Sequence, residues 1–174
     1  MTAAVVETLV AYRMFDEEGE LQGIADIDLP DLSYLTRELK GAGVAGVVDV
    51  PIFGHFESLT ATINWRTMIA DSMKLMRPGR RLFECRSASQ IQDAGTGGYT
   101  ISAEKIIMGG LVKKGEMGKR EVGEGSESSN EFEITYLKIV QDGKTITEID
   151  KLNYICTIDG LDYMDKVRTA LGYN

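Results

Sequence analysis

Histidine and tryptophan occur once each in the 174 residues, cysteine twice and proline three times. The two cysteines, Cys85 and Cys156, lie far apart in the chain, so they form neither a disulfide framework nor a zinc-ligand set. Both are expected as buried reduced thiols, because a free cysteine packs as a small hydrophobe. No apolar run approaches the roughly 20 residues of a membrane-spanning helix, and the stretch 44–48 is diluted by Ala and Gly. Positive charge is also short. With 19 Lys and Arg against 27 Asp and Glu the formal charge is −8, which argues against a protein that grips phosphates by counterion release. The first residues, Met1-Thr2-Ala3-Ala4-Val5-Val6-Glu7, lack the basic region of a secretion signal. The expectation is therefore a mature chain that starts here and stays in the cytosol.

What is present fits one globular domain over residues 1–174, with 43% hydrophobic and 26% charged residues. Leu59, Ala61, Ile63 and Trp65 alternate with Thr60, Thr62, Asn64 and Arg66, a period of two that predicts a strand with one face in a core. The runs 5–15 and 24–29, separated by Asp16-Glu17-Glu18-Gly19, read as a hairpin. Further strands are predicted over 81–87, as a pair within 99–111 broken at Gly109-Gly110, and over 132–140 and 145–158. Asp142-Gly143 between the last two is a strong hairpin signal, since both central residues of such a turn take positive φ. A short helix is predicted within 67–76, where Ile69, Met73 and Met76 fall at helical spacing. A second is predicted over 159–172, with Leu161, Met164 and Leu171 on one side and Gly172 as its left-handed stop. The fold class is mainly β, with one short and one C-terminal helix, arranged as a β-sandwich or open barrel.

Two segments read as flexible loops. Residues 41–54 begin with three glycines, Gly41, Gly43 and Gly46, and residues 113–130 hold as many glutamates as basic residues and almost nothing apolar. The equal charges there give no basic field for nucleic acid. Gly41-Ala42-Gly43-Val44-Ala45-Gly46 matches G-x-G-x-x-G, but a dinucleotide site requires a helix N-terminus next, and a Val-rich, Pro-containing strand follows instead. A plain hinge loop is the better reading, and no cofactor is implied.

His55 leaves open a serine or cysteine nucleophile with a histidine base, although no nucleophile-elbow motif accompanies it and no second metal ligand stands at sensible spacing. That reading corresponds to a small soluble β-barrel enzyme or ligand-binding module using His55. The pairs Asp26/Asp28 and Glu148/Asp150 each share one strand face, where solvated or lumen-facing carboxylates are commoner than an acid–base pair. No catalytic or metal-binding residue is assigned.

The segments 133–138, 142–144, 148–153, 159–163 and 168–172 resemble, in order and spacing, the major tail tube protein of contractile-tailed phages. The Ile24-Ala25-Asp26-Ile27-Asp28-Leu29-Pro30 run, the Lys40-Gly41-Ala42-Gly43 loop and Glu57-Ser58-Leu59-Thr60 resemble the same family. Tube subunits of R-type bacteriocins are similar, and the sequence does not separate the two sources.

The resemblance implies a subunit of hexameric rings stacked into a hollow tube, with strands of neighbouring subunits closing an inner barrel. The implied partners are copies of the chain itself, the sheath protein, a tube initiator or baseplate, a tape measure and a tail terminator, with DNA passing through transiently and unbound, or ions in a bacteriocin. The subunit would be made in the bacterial cytoplasm and end in the tail of the particle. Gly41, Gly43, Gly46, Asp49, His55 and Glu57 are the expected inter-subunit or inter-ring contacts. Glu148 and Asp150 are candidate lumen-wall residues, where a like-charged wall would keep a polyanion from sticking.

Overall fold

Alternation in the sequence becomes a buried row in the structure. The computed structural model describes residues 4–173. Over them the strands are β1 (Ala4–Phe15), β2 (Ile24–Asp28), β3 (Tyr34–Leu39), β4 (Val48–Phe56), β5 (Thr60–Trp65), β6 (Arg80–Asp93), β7 (Tyr99–Glu116), β8 (Ser128–Gln141), β9 (Lys144–Asp150), β10 (Ile155–Ile158) and β11 (Leu161–Asp162). Two short helices join them, α1 (Ala70–Lys74) and α2 (Asp165–Leu171). The fold is mainly β and sandwich-like, and neither sheet closes into a barrel. No helix among the described residues is long and apolar enough to cross a membrane.

The large sheet is antiparallel, in the order β1-β6-β7-β8-β9-β10-β11. It forks at β8: one edge of this 14-residue strand pairs first with β5 and then, beyond Glu133, with β9. β2 pairs with β5 outside the fork. The rows from β5 (Leu59 just before it, then Ala61, Ile63 and Trp65) meet Phe83, Met108, Phe132 and Ile134 in one core. Phe83 and Phe132 pack edge to face with ring centroids 4.7 Å apart, a geometry that adds about 0.5–1.5 kcal/mol beyond burial. The Trp65 indole donates to Asn130 Oδ1 at 2.8 Å, so the largest core side chain buries no unpaired donor.

Along β8 the buried residues are first Ser128, Asn130, Phe132 and Ile134, then Leu137. An extra residue in β8 opposite Gly109-Gly110 changes the parity, because one inserted residue turns every later side chain to the other face. Thr135, the extra residue, sends its hydroxyl to the Gly109 carbonyl at 3.3 Å. A Cβ at Gly110 would run into the Glu133 carbonyl and sit 2.9 Å from Ile134 Cδ1. The glycine pair therefore serves a close approach of two strands.

This overturns the expected break at Gly109-Gly110: β7 runs through it for 18 residues. The hairpin expected between 5–15 and 24–29 does not form either. Its turn exists, with Asp16 Oδ1 accepting the Glu18 and Gly19 amides, but only a Phe15–Glu20 bridge follows it; β1 pairs with β6 and β2 with β5. The single strand expected over 145–158 is two, because a turn at 151–154 folds β10 back onto β9. The C-terminal helix starts only at Asp165, since 159–162 make a turn and β11. Gly172 does stop it at φ 77°. The segments read as loops are shorter than expected: 48–54 belong to β4, 113–116 to β7 and 128–130 to β8. The Asp142-Gly143 turn joins β8 and β9 as expected, with φ of 47° and 82°. Both cysteines are free and buried, and burial, then Glu104, pushes the Cys85 thiol up to about 11. The N-terminal reading rests partly on residues 1–3, outside those described.

Candidate functional site

Strands β3 and β4 make a two-stranded sheet of their own, paired from Tyr34–Phe56 at the base to Leu39–Val48 near the tip. All six residues of β3 are exposed, as are the first six of β4. The ribbon therefore stands away from the sandwich with Leu35, Leu39, Val47, Val48, Val50 and Phe53 in solvent. Phe53 is 71% exposed, a large apolar surface that an isolated subunit leaves uncovered. Pro51, which lacks a ladder donor, fits because both strands of a two-stranded ribbon are edges.

Gly41, Gly43 and Gly46 form the turn of this ribbon with φ of 134°, 92° and 136°, values that side-chain-bearing residues rarely adopt. Strands flank the glycines on both sides, so the G-x-G-x-x-G match is a hairpin turn. At the base, Tyr34 stacks on Phe56 with centroids 4.7 Å apart, and the Glu57 amide donates to the Ser33 carbonyl at 2.9 Å. Lys151 Nζ donates to the Glu57 carbonyl at 2.6 Å and lies 3.6 Å from Glu133. Gly54 has φ 71° and lies against Met164, which is 2% exposed. The ribbon is thus clamped to the C-terminal segment at its base and free beyond it.

The six expected contact residues do not form one cluster. The glycines and Asp49 occupy the outer half of the ribbon, where Asp49 pairs in register with Glu38, whereas His55 and Glu57 sit at its base. His55 is exposed, and its Nδ1 lies 3.1 Å from the Phe53 carbonyl. A cavity of about 140 Å³ beside it is lined by Leu35, Phe56, Tyr154 and Met164, with Asp150 the one carboxylate in its wall. That carboxylate is occupied: Oδ1 accepts the Leu152 and Asn153 amides at 2.9 and 3.0 Å, and Oδ2 accepts the Asn153 amide side chain at 2.7 Å. The lining of this cavity holds no serine or cysteine to serve as the nucleophile beside a histidine base. Among the described residues no group of three His, Cys, Asp or Glu is placed to hold a metal ion.

Glu148 and Asp150 share a face, as expected, yet differ in environment. Asp150 is 8% exposed and holds the turn after β9. Glu148 accepts the Tyr136 hydroxyl at 2.9 Å and Lys138 Nζ at 3.0 Å on the face of the large sheet turned away from the core. Burial, then the bond to Glu148, pushes the Tyr136 phenol up to about 12. Lys138 lies in register with Ile107 and Glu84, and another row of the same face holds Lys105, Arg86 and Arg13. The face carries both signs, so the overall charge of −8 is not concentrated on it.

Sequence reasoning missed two features. One is β3, whose Tyr34-Leu35-Thr36-Arg37-Glu38-Leu39 has no strict alternation because neither face is buried. The other is the outer edge of β1, which has no neighbouring strand among the described residues and exposes Leu9 and Val10 at 55% and 59%. Its length and β-branched content were the available signal. The β1 edge is bonded by residues 19–21 only at its C-terminal end, and with the projecting apolar ribbon it leaves main-chain groups and apolar side chains of one subunit uncovered.

The family described as phage tail tube protein FII matches residues 6–172. The tail tube protein of Escherichia phage P2 is 27% identical over 161 residues, covering 87% of this chain and 88% of its own length. The major tail tube protein of Serratia phage KSP20 is 26% identical over 158 residues, covering 90% of each. Unpaired edges and a free ribbon are what a subunit needs when its product is a polymer, and with a match over nearly the whole chain they lead to one conclusion: this protein belongs to the phage tail tube protein FII family and is a structural subunit of a tail tube.

Proposed function

We propose that the subunit forms hexameric rings that stack into the hollow inner tube of a contractile tail, in a phage or a headless bacteriocin particle, and that it performs no catalysis. The observation that carries this reading is the open large sheet. Its β1 edge leaves a row of main-chain donors and acceptors without strand partners. Head-to-tail pairing of copies around a ring satisfies such a row and removes the edge on closure. In the ring, neighbouring strands complete an inner barrel whose lumen side is the face of Lys105, Lys138 and Glu148. Glu148 is the wall residue of its pair, while Asp150 supports the wall by holding the turn behind it. The ribbon, with Gly41, Gly43, Gly46 and Asp49 towards its tip and His55 and Glu57 at its base, bridges successive rings.

The turn of the ribbon and the loop 117–127 order on assembly. Fixing backbone costs about 1–2 kcal/mol per residue, so ordering waits for a neighbour, and growth waits for an initiator or baseplate that presents the first ring. The sheath surrounds the tube, a tape measure and a terminator set its length, and DNA or ions pass along the lumen without specific binding. Synthesis is in the bacterial cytoplasm. Negative-stain electron microscopy of the purified chain at rising concentration, alone and on an initiator complex, tests this: hollow tubes with sixfold end views are expected. A chain that stays monomeric under every such condition refutes it.

A further inference from the structure

A second apolar feature lies at the other end of the subunit. Between α1 and the ends of β7 and β8 is a cavity of about 120 Å³ whose wall holds four methionines, Met68, Met73, Met76 and Met117, beside the polar Ser72, Glu116, Ser129 and Asn130. It is open to solvent at Met73 and Met117, which are 45% and 65% exposed. Gly115 also lines it, and a Cβ there would press on the Met76 thioether and shift that side chain. A cavity of this size accommodates one aliphatic side chain. Methionine suits a receptor of this kind because its unbranched, polarisable side chain adapts to an incoming surface.

The position of the cavity decides what fills it. The ribbon leaves the sandwich beside Ser58 and Thr60, where Ser58 bonds Glu133 and Thr60 pairs with Glu133. The methionine cavity lies at the opposite end of β5, where Trp65 pairs with Ser128 and the Ser126 hydroxyl accepts the Met68 amide at 2.6 Å. Five residue steps of strand separate the two ends, or roughly 17 Å. One end thus offers a projecting apolar tip and the other an apolar cavity, the arrangement of a head-to-tail contact that repeats without closing. The tip also carries Lys40, ion-paired with Glu38 at 2.7 Å, and the cavity wall carries Glu116, ion-paired with Lys114, so a contact between them would exchange partners rather than join free charges.

Building on the tube reading, we propose that the methionine cavity is the receptor for the ribbon tip of a second copy of this chain: Leu39, Val47 or Val48 of a subunit in one ring enters the cavity of a subunit in the next. Ring stacking is then specified by this pair of surfaces, and the cavity is filled only in the tube.

The test uses two chains, Val47→Cys and Met73→Cys, mixed and assembled together; Cys85 and Cys156 are buried and stay out of the reaction. Mild oxidation of the mixed tubes is expected to yield a cross-linked dimer on non-reducing gels, absent from tubes of either variant alone. In parallel, Met73→Leu should assemble like the parent, and Met73→Glu, folded by its circular dichroism melt, should raise the concentration needed for tubes at least tenfold. Tubes that form without the mixed dimer, or that tolerate Met73→Glu and Met73→Leu equally, overturn the inference and leave the tube reading intact. Failure of the parent chain to make tubes at all overturns the tube reading instead.

Discussion

Gly54 is where the ribbon is clamped, and replacing it by alanine tests how the clamp works. Two costs are expected. At φ 71° an alanine sits in the left-handed region, a penalty of about 1–2 kcal/mol. Its methyl would also lie 2.6 Å from Met164 Cγ and nearer still to the sulfur, and Met164 is 2% exposed with little room to retreat. Overpacking of this kind costs about 1–3 kcal/mol. Gly54→Ala should therefore destabilise the dilute monomer by about 2–5 kcal/mol, and at about 2–4 °C per kcal/mol for a chain of this size a mid-range loss lowers Tm by roughly 7–14 °C. Met164→Ala alone removes a buried side chain and should cost about 2–5 kcal/mol. In the double variant the overpacking disappears while the backbone penalty remains, so the two losses should fall short of additivity by about 1–3 kcal/mol. Urea unfolding followed by circular dichroism at concentrations too low for assembly measures all four corners of the cycle. Strict additivity would refute the argument, because it would mean that Gly54 and Met164 do not press on each other and that backbone conformation alone requires the glycine.

Two further outcomes follow from the core and the C-terminal segment. Asn130→Ala strands the Trp65 indole donor in the core and should cost about 1–3 kcal/mol; the sole tryptophan reports it directly, its blue-shifted native emission giving way to the exposed spectrum at lower urea. The bond from Arg168 holds the Asp162 carboxyl below its usual range, helped by the Met164 amide at 2.9 Å. A carboxyl depressed in the folded state adds stability that is complete above its unfolded pKa of ~3.9 and disappears as pH falls through the lower folded value. Melts between pH 7 and pH 2.5 should therefore show a weaker acid loss in Asp162→Asn than in the parent, and identical slopes would exclude the pair as a source of acid sensitivity.

Some of the candidate site was legible from sequence and some was not, for reasons that differ residue by residue. Gly41, Gly43 and Gly46 announce a turn because positive φ is a local property. Asp49, His55 and Glu57 follow that turn in the chain, but only the pairing of β3 with β4 separates Asp49 in the outer half from the two at the base. Glu148 and Asp150 alternate identically, and burial alone makes one a surface carboxylate in an ion pair and the other the acceptor of a turn. The methionines at 68, 73, 76 and 117 carry no spacing that marks a cavity, since the segment around α1 supplies the first three and the end of β7 the last.

The amino-acid sequence by itself determined whatever depends on neighbours in the chain: the buried row of Leu59 to Trp65, the Asp142-Gly143 turn, the left-handed stop at Gly172 and the thiol character of the two cysteines. Tertiary structure decided which strands pair. Main-chain donors and acceptors are alike at every residue, so nothing local tells β1 to choose β6 over the adjacent β2. That choice is made by how the apolar faces share one core, and by a single inserted residue in β8 that turns the rest of the strand over. The same logic leaves the β1 edge and the ribbon without partners inside one subunit, because the core is complete before they are covered.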